Sequence, residues 1–149
     1  MRARAAAVPL AAVVLLGACR DDLVAPKTFE DARVRWNAQR ISDYVYTLQI
    51  LCFCGEEMTT PVAVRVTGGT VASRTYQGTG VPVDPAIADR FPTIDSLFGV
   101  VRYAYQTAAS VNVTYDPTYG FPTLLQVAWI ANAVDDENTY TARDFRTLR

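Results

Sequence analysis

The hydrophobic and polar residues of this chain follow the two spacings of regular secondary structure in turn. Spacing of three and four residues, typical of an amphipathic helix, runs through residues 29–40 and, most clearly, through residues 94–108. Strand-forming runs, most of them alternating between apolar and polar positions, occupy residues 41–55, 61–67, 70–76, 110–116, 121–130 and 139–145. The pattern predicts the order α-β-β-β-α-β-β-β.

Residues that start helices and close turns lie at the ends of these segments. Thr28 and Thr93 each precede a helical run and are expected to act as N-caps. The pair Gly68-Gly69 separates two alternating runs, which is typical of a tight hairpin, because both central residues of the favoured turns need positive φ. Residues 77–92 contain three prolines and no periodicity, so they are expected to form a long loop.

The longest strand-forming run, residues 41–55, is predicted to be the central strand. It ends in a Cys-x-Cys pair. If the strand stays regular, both cysteines lie on the same face as its largest apolar side chains, beneath a covering helix. The residues of that shared parity are Tyr44, Tyr46, Leu48, Ile50, Cys52 and Cys54.

These elements predict a single α+β domain over residues 28–149, with one antiparallel sheet of about six strands and two helices packed on one face. A chain of 149 residues with 50% hydrophobic composition is long enough for one core and too short for a second.

Composition excludes several classes of function. The chain has no histidine, so Ser-His and Cys-His nucleophile systems and His-bearing metal sites are excluded. Its formal net charge is −1, and removal of residues 1–18 would leave 12 basic against 15 acidic residues, or −3. No basic stripe remains for nucleic acid. We expect no cofactor and no metal.

The first 18 residues have the layout of a secretory signal peptide. Arg2 and Arg4 form a basic start, and an apolar run of about a dozen residues follows, shorter than the roughly 20 needed to span a bilayer. The run closes on Leu16-Gly17-Ala18-Cys19, which resembles the lipobox of bacterial lipoproteins. That resemblance implies cleavage before Cys19, a thioether-linked diacylglycerol on its sulfur, and acylation of the new amino terminus, commonly with palmitate. The alternative is a plain secreted protein.

Residues 19–27 are then predicted to be the lipidated cysteine and a short tether, because they carry charges and Pro26 without periodicity. Two or more acyl chains give stable anchoring in a membrane. Arg20 follows the cysteine where an aspartate is the usual signal for retention in the inner membrane. In a bacterium with two membranes, the outer membrane facing the periplasm is therefore the expected location.

Cys52 and Cys54 form an even pair once Cys19 is consumed by lipid, and an even pair in an oxidising compartment usually closes. Residues two apart in a regular strand are separated by about 6.6 Å, at the limit of what a disulfide tolerates, so the chain must bend there. A structural disulfide, a redox-active pair, metal binding and free thiols all remain open from the sequence.

The acidic residues of two predicted turns are the other candidate chemistry. Asp135, Asp136 and Glu137 are consecutive, and Asp116 ends a neighbouring strand. Two carboxylates within several ångströms can act as acid and base or bind calcium. A run of acids in a hairpin turn is also typical of a solvated turn.

Several runs together resemble an uncharacterised family of bacterial lipoproteins with a domain of unknown function, domain of unknown function 6174. The resemblance rests on the lipobox, on Cys52-Phe53-Cys54, and on residues 93–98, 113–123 and 135–137 in that order. It implies no activity.

We therefore expect a membrane-anchored envelope lipoprotein of unknown biochemical role that acts as a non-enzymatic binding or structural module on a protein or glycan partner. The competing expectation is an enzyme, either a carboxylate-based hydrolase or a thiol oxidoreductase. A concave pocket that joins the acids would favour the enzyme. An exposed apolar patch on the uncovered sheet face would favour binding.

Overall fold

The computed structural model describes residues 25–148. These residues form three α-helices, a short 3-10 helix and six strands, in the order α-β-α-β-β-α-β-β-β. The helices are α1 (Lys27–Gln39), α2 (Glu56–Thr59) and α3 (Ile94–Thr107), and the 3-10 helix is Ala88–Arg90. The strands are β1 (Tyr44–Leu51), β2 (Val62–Thr67), β3 (Thr70–Tyr76), β4 (Ser110–Tyr115), β5 (Pro122–Ala128) and β6 (Glu137–Thr147).

The six strands form one antiparallel sheet in the spatial order β3-β2-β1-β6-β5-β4, so the prediction of a single six-stranded sheet is confirmed. β1 lies inside the sheet between β2 and β6, as expected. Gly68 and Gly69, with φ of 57° and 76°, form the β2–β3 turn. The predicted order is incomplete, because the four-residue helix α2 lies between β1 and β2. Four residues are too few to produce a helical periodicity.

The predicted continuation of β1 through the two cysteines is wrong. β1 ends at Leu51, and residues 52–54 bend away from the sheet. Tyr44, Tyr46, Leu48 and Ile50 are at most 3% exposed, so the predicted buried face holds within the strand. Beyond the strand the parity no longer applies, and the expectation that both cysteines lie under a helix fails for Cys54, which is exposed.

One helix cap is as expected and the other is not. The Thr93 side chain accepts a hydrogen bond from the Ser96 amide and caps α3. Thr28 is not a cap, because α1 already begins at Lys27. The preceding residue is Pro26, whose carbonyl oxygen accepts from the Phe29 amide at 2.9 Å. Proline fixes φ near the helical value, so it starts a helix without a side-chain cap.

Buried side chains of α1 and α3 belong to the same core as the inward face of β1 and β2. The Phe29 ring of α1 meets the Phe98 ring of α3 edge to face, with centroids 5.9 Å apart. The segment between β3 and α3 also enters the core, because Val83 and Phe91 are 6% and 0% exposed. That segment is a loop, as expected, but a packed one.

Two tyrosine hydroxyls on β1 fix the start of α3. The Tyr44 hydroxyl accepts from the Ile94 amide at 2.9 Å, and the Tyr46 hydroxyl donates to the Pro92 carbonyl at 2.5 Å. Burial raises the pKa of Tyr44 to about 12, which keeps its hydroxyl neutral. Trp36 adds a third bond, from its indole N–H to the Asp95 carboxylate at 3.1 Å. The position of α3 along the sheet is therefore set by directional bonds as well as by packing.

The β4–β5 turn packs directly against the backbone of α1. Gly120 has φ of 89°, and a Cβ built on it would overlap the carbonyl oxygen of Ala32. The Asp116 carboxylate accepts from the Thr118 and Tyr119 amides at 2.8 and 2.7 Å and shapes the turn. Glycine is thus required at 120 for its conformation and for the closeness of the helix.

Phe98→Ala should lower the free energy of unfolding by about 3 to 5 kcal/mol, because it removes a side chain that is 3% exposed and leaves a cavity. Gly99→Ala is the matched control: the next residue of α3 faces open space, and alanine there should stabilise the helix by about 0.5 to 1 kcal/mol. Urea denaturation measures both. Equal stability of the Phe98 variant and the parent would remove this face of α3 from the core.

Gly120→Ala should destabilise the protein by more than Gly78→Ala. Both glycines have positive φ, 89° and 86°, so both substitutions carry the same backbone strain of about 1 kcal/mol. Only the Cβ at 120 meets another segment, whereas the Cβ at 78 has no atom within 4 Å. The difference between the melting temperatures of the two variants measures the steric contribution to the destabilisation. Equal melting temperatures would contradict the contact with α1.

Candidate functional site

A groove of about 410 Å³ lies where the end of β1 meets the start of β6. Four separate segments form its walls: the end of β1 with the cysteine pair, the short helix α2, the loop before α3, and the β5–β6 turn. Its lining residues are Ile50, Cys52, Phe53, Cys54, Met58, Ala86, Ile87, Arg90, Asp135, Asn138 and Tyr140. The fold therefore brings the Cys-x-Cys pair and one residue of the acidic turn into a single concave site.

Cys52 and Cys54 are joined at disulfide distance, with their Cα atoms 5.3 Å apart. This separation is inside the range for a disulfide and shorter than in a regular strand, so the bend expected from the sequence is present. A hydrogen bond of 2.9 Å from the Cys54 amide to the Cys52 carbonyl closes the bend. Cys52 is half-buried against the core and Cys54 is exposed, so solvent reaches the disulfide from the groove.

The polar groups of the groove come from opposite walls. Arg90 lies at the end of the 3-10 helix, and it forms no ion pair with any residue in 25–148. Burial raises the pKa of Tyr140 above its usual value, and the nearby Arg90 guanidinium partly offsets that rise. Asp135, at φ of 66°, stands in the turn on the other side. The groove thus has an apolar floor, and its rim carries the Asp135 carboxylate and the Arg90 cation, which is unpaired within residues 25–148.

The segments beside the groove also carry exposed apolar side chains. Seven large apolar residues are exposed among residues 25–148, and four of them lie within residues 51–54 and 130–136. Phe53 and Val134 are each 84% exposed, and Leu51 and Ile130 are 50% and 64% exposed. Clustered exposure of this kind is typical of an interaction surface, whereas single exposed apolar residues are ordinary.

The structure does not bring the four candidate acids together. Asp116 lies at one end of β5 and Asp136 at the other, and a seven-residue strand separates the two ends by roughly 20 Å. Asp116 is engaged by turn amides, and the Asp136 carboxylate accepts from the Ile130 amide at 2.5 Å. Glu137 is exposed and starts β6. The proposed grouping of Asp116 with Asp135, Asp136 and Glu137 is therefore not present.

Two properties of the described part of the chain concern metals and membranes. In residues 25–148 there is no group of three or more Cys, Asp or Glu side chains placed to hold a metal ion. No helix of the same segment has the length and apolar character needed to cross a membrane. Cys19, the predicted signal peptide and most of the predicted tether lie outside the described residues.

Sequence reasoning missed most of the lining of the groove, including Met58, Ile87 and Arg90. Met58 lies on the short helix α2, and its one local signal was the pair of acids after Gly55, which suits the first turn of a helix. Ile87 and Arg90 lie in the aperiodic loop, where no pattern assigns a side chain to a partner. Their meeting with β1 and β6 depends on the path of the loop.

The fold and the groove define the class of protein. It is a small α+β domain with one antiparallel sheet, and a disulfide directly after β1 lines a groove with both apolar and polar walls. The chain belongs to the family of unknown function DUF6174, whose model matches residues 28–147. The resemblance to domain of unknown function 6174 is thereby confirmed. Comparison with curated proteins and with solved structures gave no match.

Replacement of Cys52 and Cys54 by serine should lower the free energy of unfolding by only about 1 to 2 kcal/mol. The ring that the bond closes contains a single intervening residue, so it removes little loop entropy from the unfolded chain. Chemical denaturation of the double variant measures the change. A loss of all folded protein would show that the bond holds more than the local bend.

Proposed function

We propose that this protein is a lipid-anchored envelope lipoprotein that works as a non-enzymatic binding module, with the groove beside the Cys52–Cys54 disulfide as its binding site. The observation that carries the proposal is the combination, at one end of the sheet, of a 410 Å³ groove with exposed apolar side chains around it. Binding sites typically combine a concave apolar surface with a few polar groups that orient the ligand.

The chemistry of the groove favours a protein partner over a glycan. Apolar side chains are exposed in the groove and in the turn beside it, with Phe53 and Val134 each 84% exposed. Phe53, Met58 and Arg90 line the groove together, and aromatic residues, methionine and arginine are the types enriched at protein–protein interfaces. A partner with an apolar side chain next to a carboxylate would fit, the apolar group against Met58 and Ile87 and the carboxylate on Arg90.

We infer further that α1 and α3 together cover one face of the sheet and leave the other face to solvent. Support comes from their shared core with β1 and β2 and from the ring contact between Phe29 and Phe98. The exposed positions of the opposite face include Arg65, Asn112 and Gln126, which are polar. We therefore propose the groove, and not the open sheet face, as the apolar binding surface.

The anchor part of the proposal rests on the sequence of residues 1–27. Leu16-Gly17-Ala18-Cys19 follows an apolar run of signal-peptide length, and the matched family model begins directly after the tether, at residue 28. With Arg20 after the cysteine, the outer membrane facing the periplasm is the proposed location in a two-membrane bacterium. A short tether would hold the groove close to the membrane surface.

Cys19→Ser should abolish lipid attachment and shift the protein out of the membrane fraction, because the serine hydroxyl cannot form the thioether. Intact-mass measurement on the membrane fraction checks this, with Cys52→Ser/Cys54→Ser as the control that keeps the anchor. The absence of acyl mass from the parent protein would overturn the lipoprotein assignment and leave the groove proposal unaffected.

The groove is tested by photo-crosslinking in intact envelopes. A photoreactive phenylalanine analogue at position 53 should give discrete protein adducts, and the same analogue at Val34, which is 67% exposed on α1, should not. Arg90→Glu in the same chain should reduce the adducts at 53 by reversing the charge of the site. Identical adducts from both positions, or adducts at 53 that ignore Arg90, would contradict a specific site in the groove.

A thiol oxidoreductase is the second candidate, because the structure leaves Cys54 exposed where the sequence predicted burial. Equilibration in glutathione buffers distinguishes the two: a structural bond resists the glutathione pool, whereas a catalytic pair is reduced rapidly and reversibly. We do not propose a hydrolase that combines Asp116 with Asp136, since those residues lie at opposite ends of β5.

A further inference from the structure

The two edges of the sheet are treated differently by the chain. At β3, the segment that follows the strand folds back along the edge, where the Tyr76 amide donates to Val81 at 2.9 Å and the Val83 amide donates to Arg74 at 3.0 Å. An isolated bridge between Thr75 and Pro82 completes this cover. At the other edge, β4 pairs with β5 alone among the described strands. Within residues 25–148, one edge is covered and the other is open.

The alternation of hydrogen bonds along β4 shows which of its backbone groups are not bonded to β5. The Ala109 amide donates to Trp129, so residues 109 and 129 form a hydrogen-bonded pair, and the bonds to β5 recur at Val111 and Val113. The amides of Ser110 and Asn112 therefore point away from β5. The carbonyl oxygen of Thr114 instead accepts the Thr123 hydroxyl of β5 at 3.1 Å, next to the register shift between Thr114 and Tyr115.

From Ser110 to Thr114, β4 lacks the usual protection of an open edge. Sheet edges are normally blocked by charged residues, prolines or bulges within the strand, which prevent pairing with another chain. Ser110–Tyr115 contains no charged residue and no proline, and its pairing with β5 is regular as far as Thr114. Its side chains alternate, with half-buried Val111 and Val113 toward the core side and exposed Ser110, Asn112 and Thr114 on the other side.

We propose that two copies of this chain associate through β4, edge to edge and antiparallel, about a two-fold axis at Asn112. In that register the outward amide and carbonyl of Asn112 in one copy face those of Asn112 in the other, and Ser110 lies opposite Thr114. If the pairing shifted by one residue, the outward backbone groups of one copy would lie opposite residues of the other copy whose backbone groups are already bonded to β5. The pairing joins two six-stranded sheets into one continuous sheet.

The side chains match under the same symmetry. Val111 of one copy lies opposite Val113 of the other on the core side, and hydroxyl and amide side chains meet on the open side. The strand is uncharged, so the axis brings no like charges together. This self-complementarity favours a second copy over an unrelated strand as the occupant.

α1 lies beside only one end of the β4 edge. At the Tyr115 end a cavity of about 420 Å³ separates the strand from α1, and Thr28, Asp31 and Arg35 form its far wall. An edge-to-edge contact buries less area than a standard interface, and the dimer is accordingly weak and concentration-dependent.

The test uses cysteine trapping in the full-length protein, purified in mild detergent. Asn112→Cys should form a disulfide-linked dimer under gentle oxidation, because the two-fold places residue 112 about 5.5 Å from its copy. Ser110→Cys, an exposed position two residues away, should not, since the axis separates the two copies of residue 110 by roughly 13 Å. Equal trapping at both positions, or trapping at neither, would overturn this register.

Sedimentation equilibrium provides the second measurement. Asn112→Pro removes an outward amide without breaking a bond to β5, and it should raise the dissociation constant at least tenfold. Asn112→Ala, which loses only the side-chain bond to Gln126, should dimerise like the parent. A parent protein that remains monomeric up to about 1 mM, or a proline variant that dimerises equally well, would overturn the proposal. Neither result depends on the groove or its partner.

Discussion

The hydrogen bonds from Tyr44 and Tyr46 to the start of α3 are the contacts on which the arrangement of this domain depends. Both hydroxyls are carried on the buried face of β1, and their partners, the Ile94 amide and the Pro92 carbonyl, lie at the point where the packed loop becomes a helix. A buried hydroxyl without a partner is costly, so these bonds select one position of α3 along the sheet. Hydrophobic contacts alone would allow a range of positions.

The candidate site follows from the same constraint. Pro92 is held against β1, and this places the preceding loop residues, among them Ile87 and Arg90, beside the other end of β1 and the start of β6. Arg74 strengthens the path of this loop, because its side chain donates to the Phe91 carbonyl at 2.6 Å. The cysteine bend supplies the facing wall, and the β5–β6 turn closes the third side. The groove is thus formed by loops, while the core holds those loops in place.

The groove and the open edge of β4 lie in different parts of the sheet, since β1 is an inner strand and β4 is an outer one. A self-associated pair would therefore keep both grooves available. If the chain is anchored through Cys19, confinement to a membrane raises the local concentration of both the copies and the partner, which suits weak contacts at either surface. Binding at the groove and pairing at β4 are then compatible on one molecule.

Alternation and helical spacing identified all six strands, because a half-buried strand or helix must place its apolar residues on one side to be stable. Tyr44, Tyr46, Leu48 and Ile50 could be assigned to the core from their parity alone, and Thr93 could be assigned as a cap from its position. The short helix α2 was not predicted, since four residues are too few to show helical spacing. The prediction of Thr28 as the N-cap of α1 was wrong, because Pro26 is the N-cap and the helix begins at Lys27.

By itself, the sequence determined the fold class, the buried face of each main element, the need for a bend at the Cys-x-Cys pair, and the family resemblance that the family model confirms. These properties follow from neighbouring residues. Only the tertiary structure decided that Asp116 and Asp136 lie at opposite ends of β5, that Cys54 is exposed, and that Arg90 meets Cys52 and Tyr140 in one groove. Contacts between residues that are tens of positions apart depend on the order of strands and the path of loops, and local spacing carries no information on either.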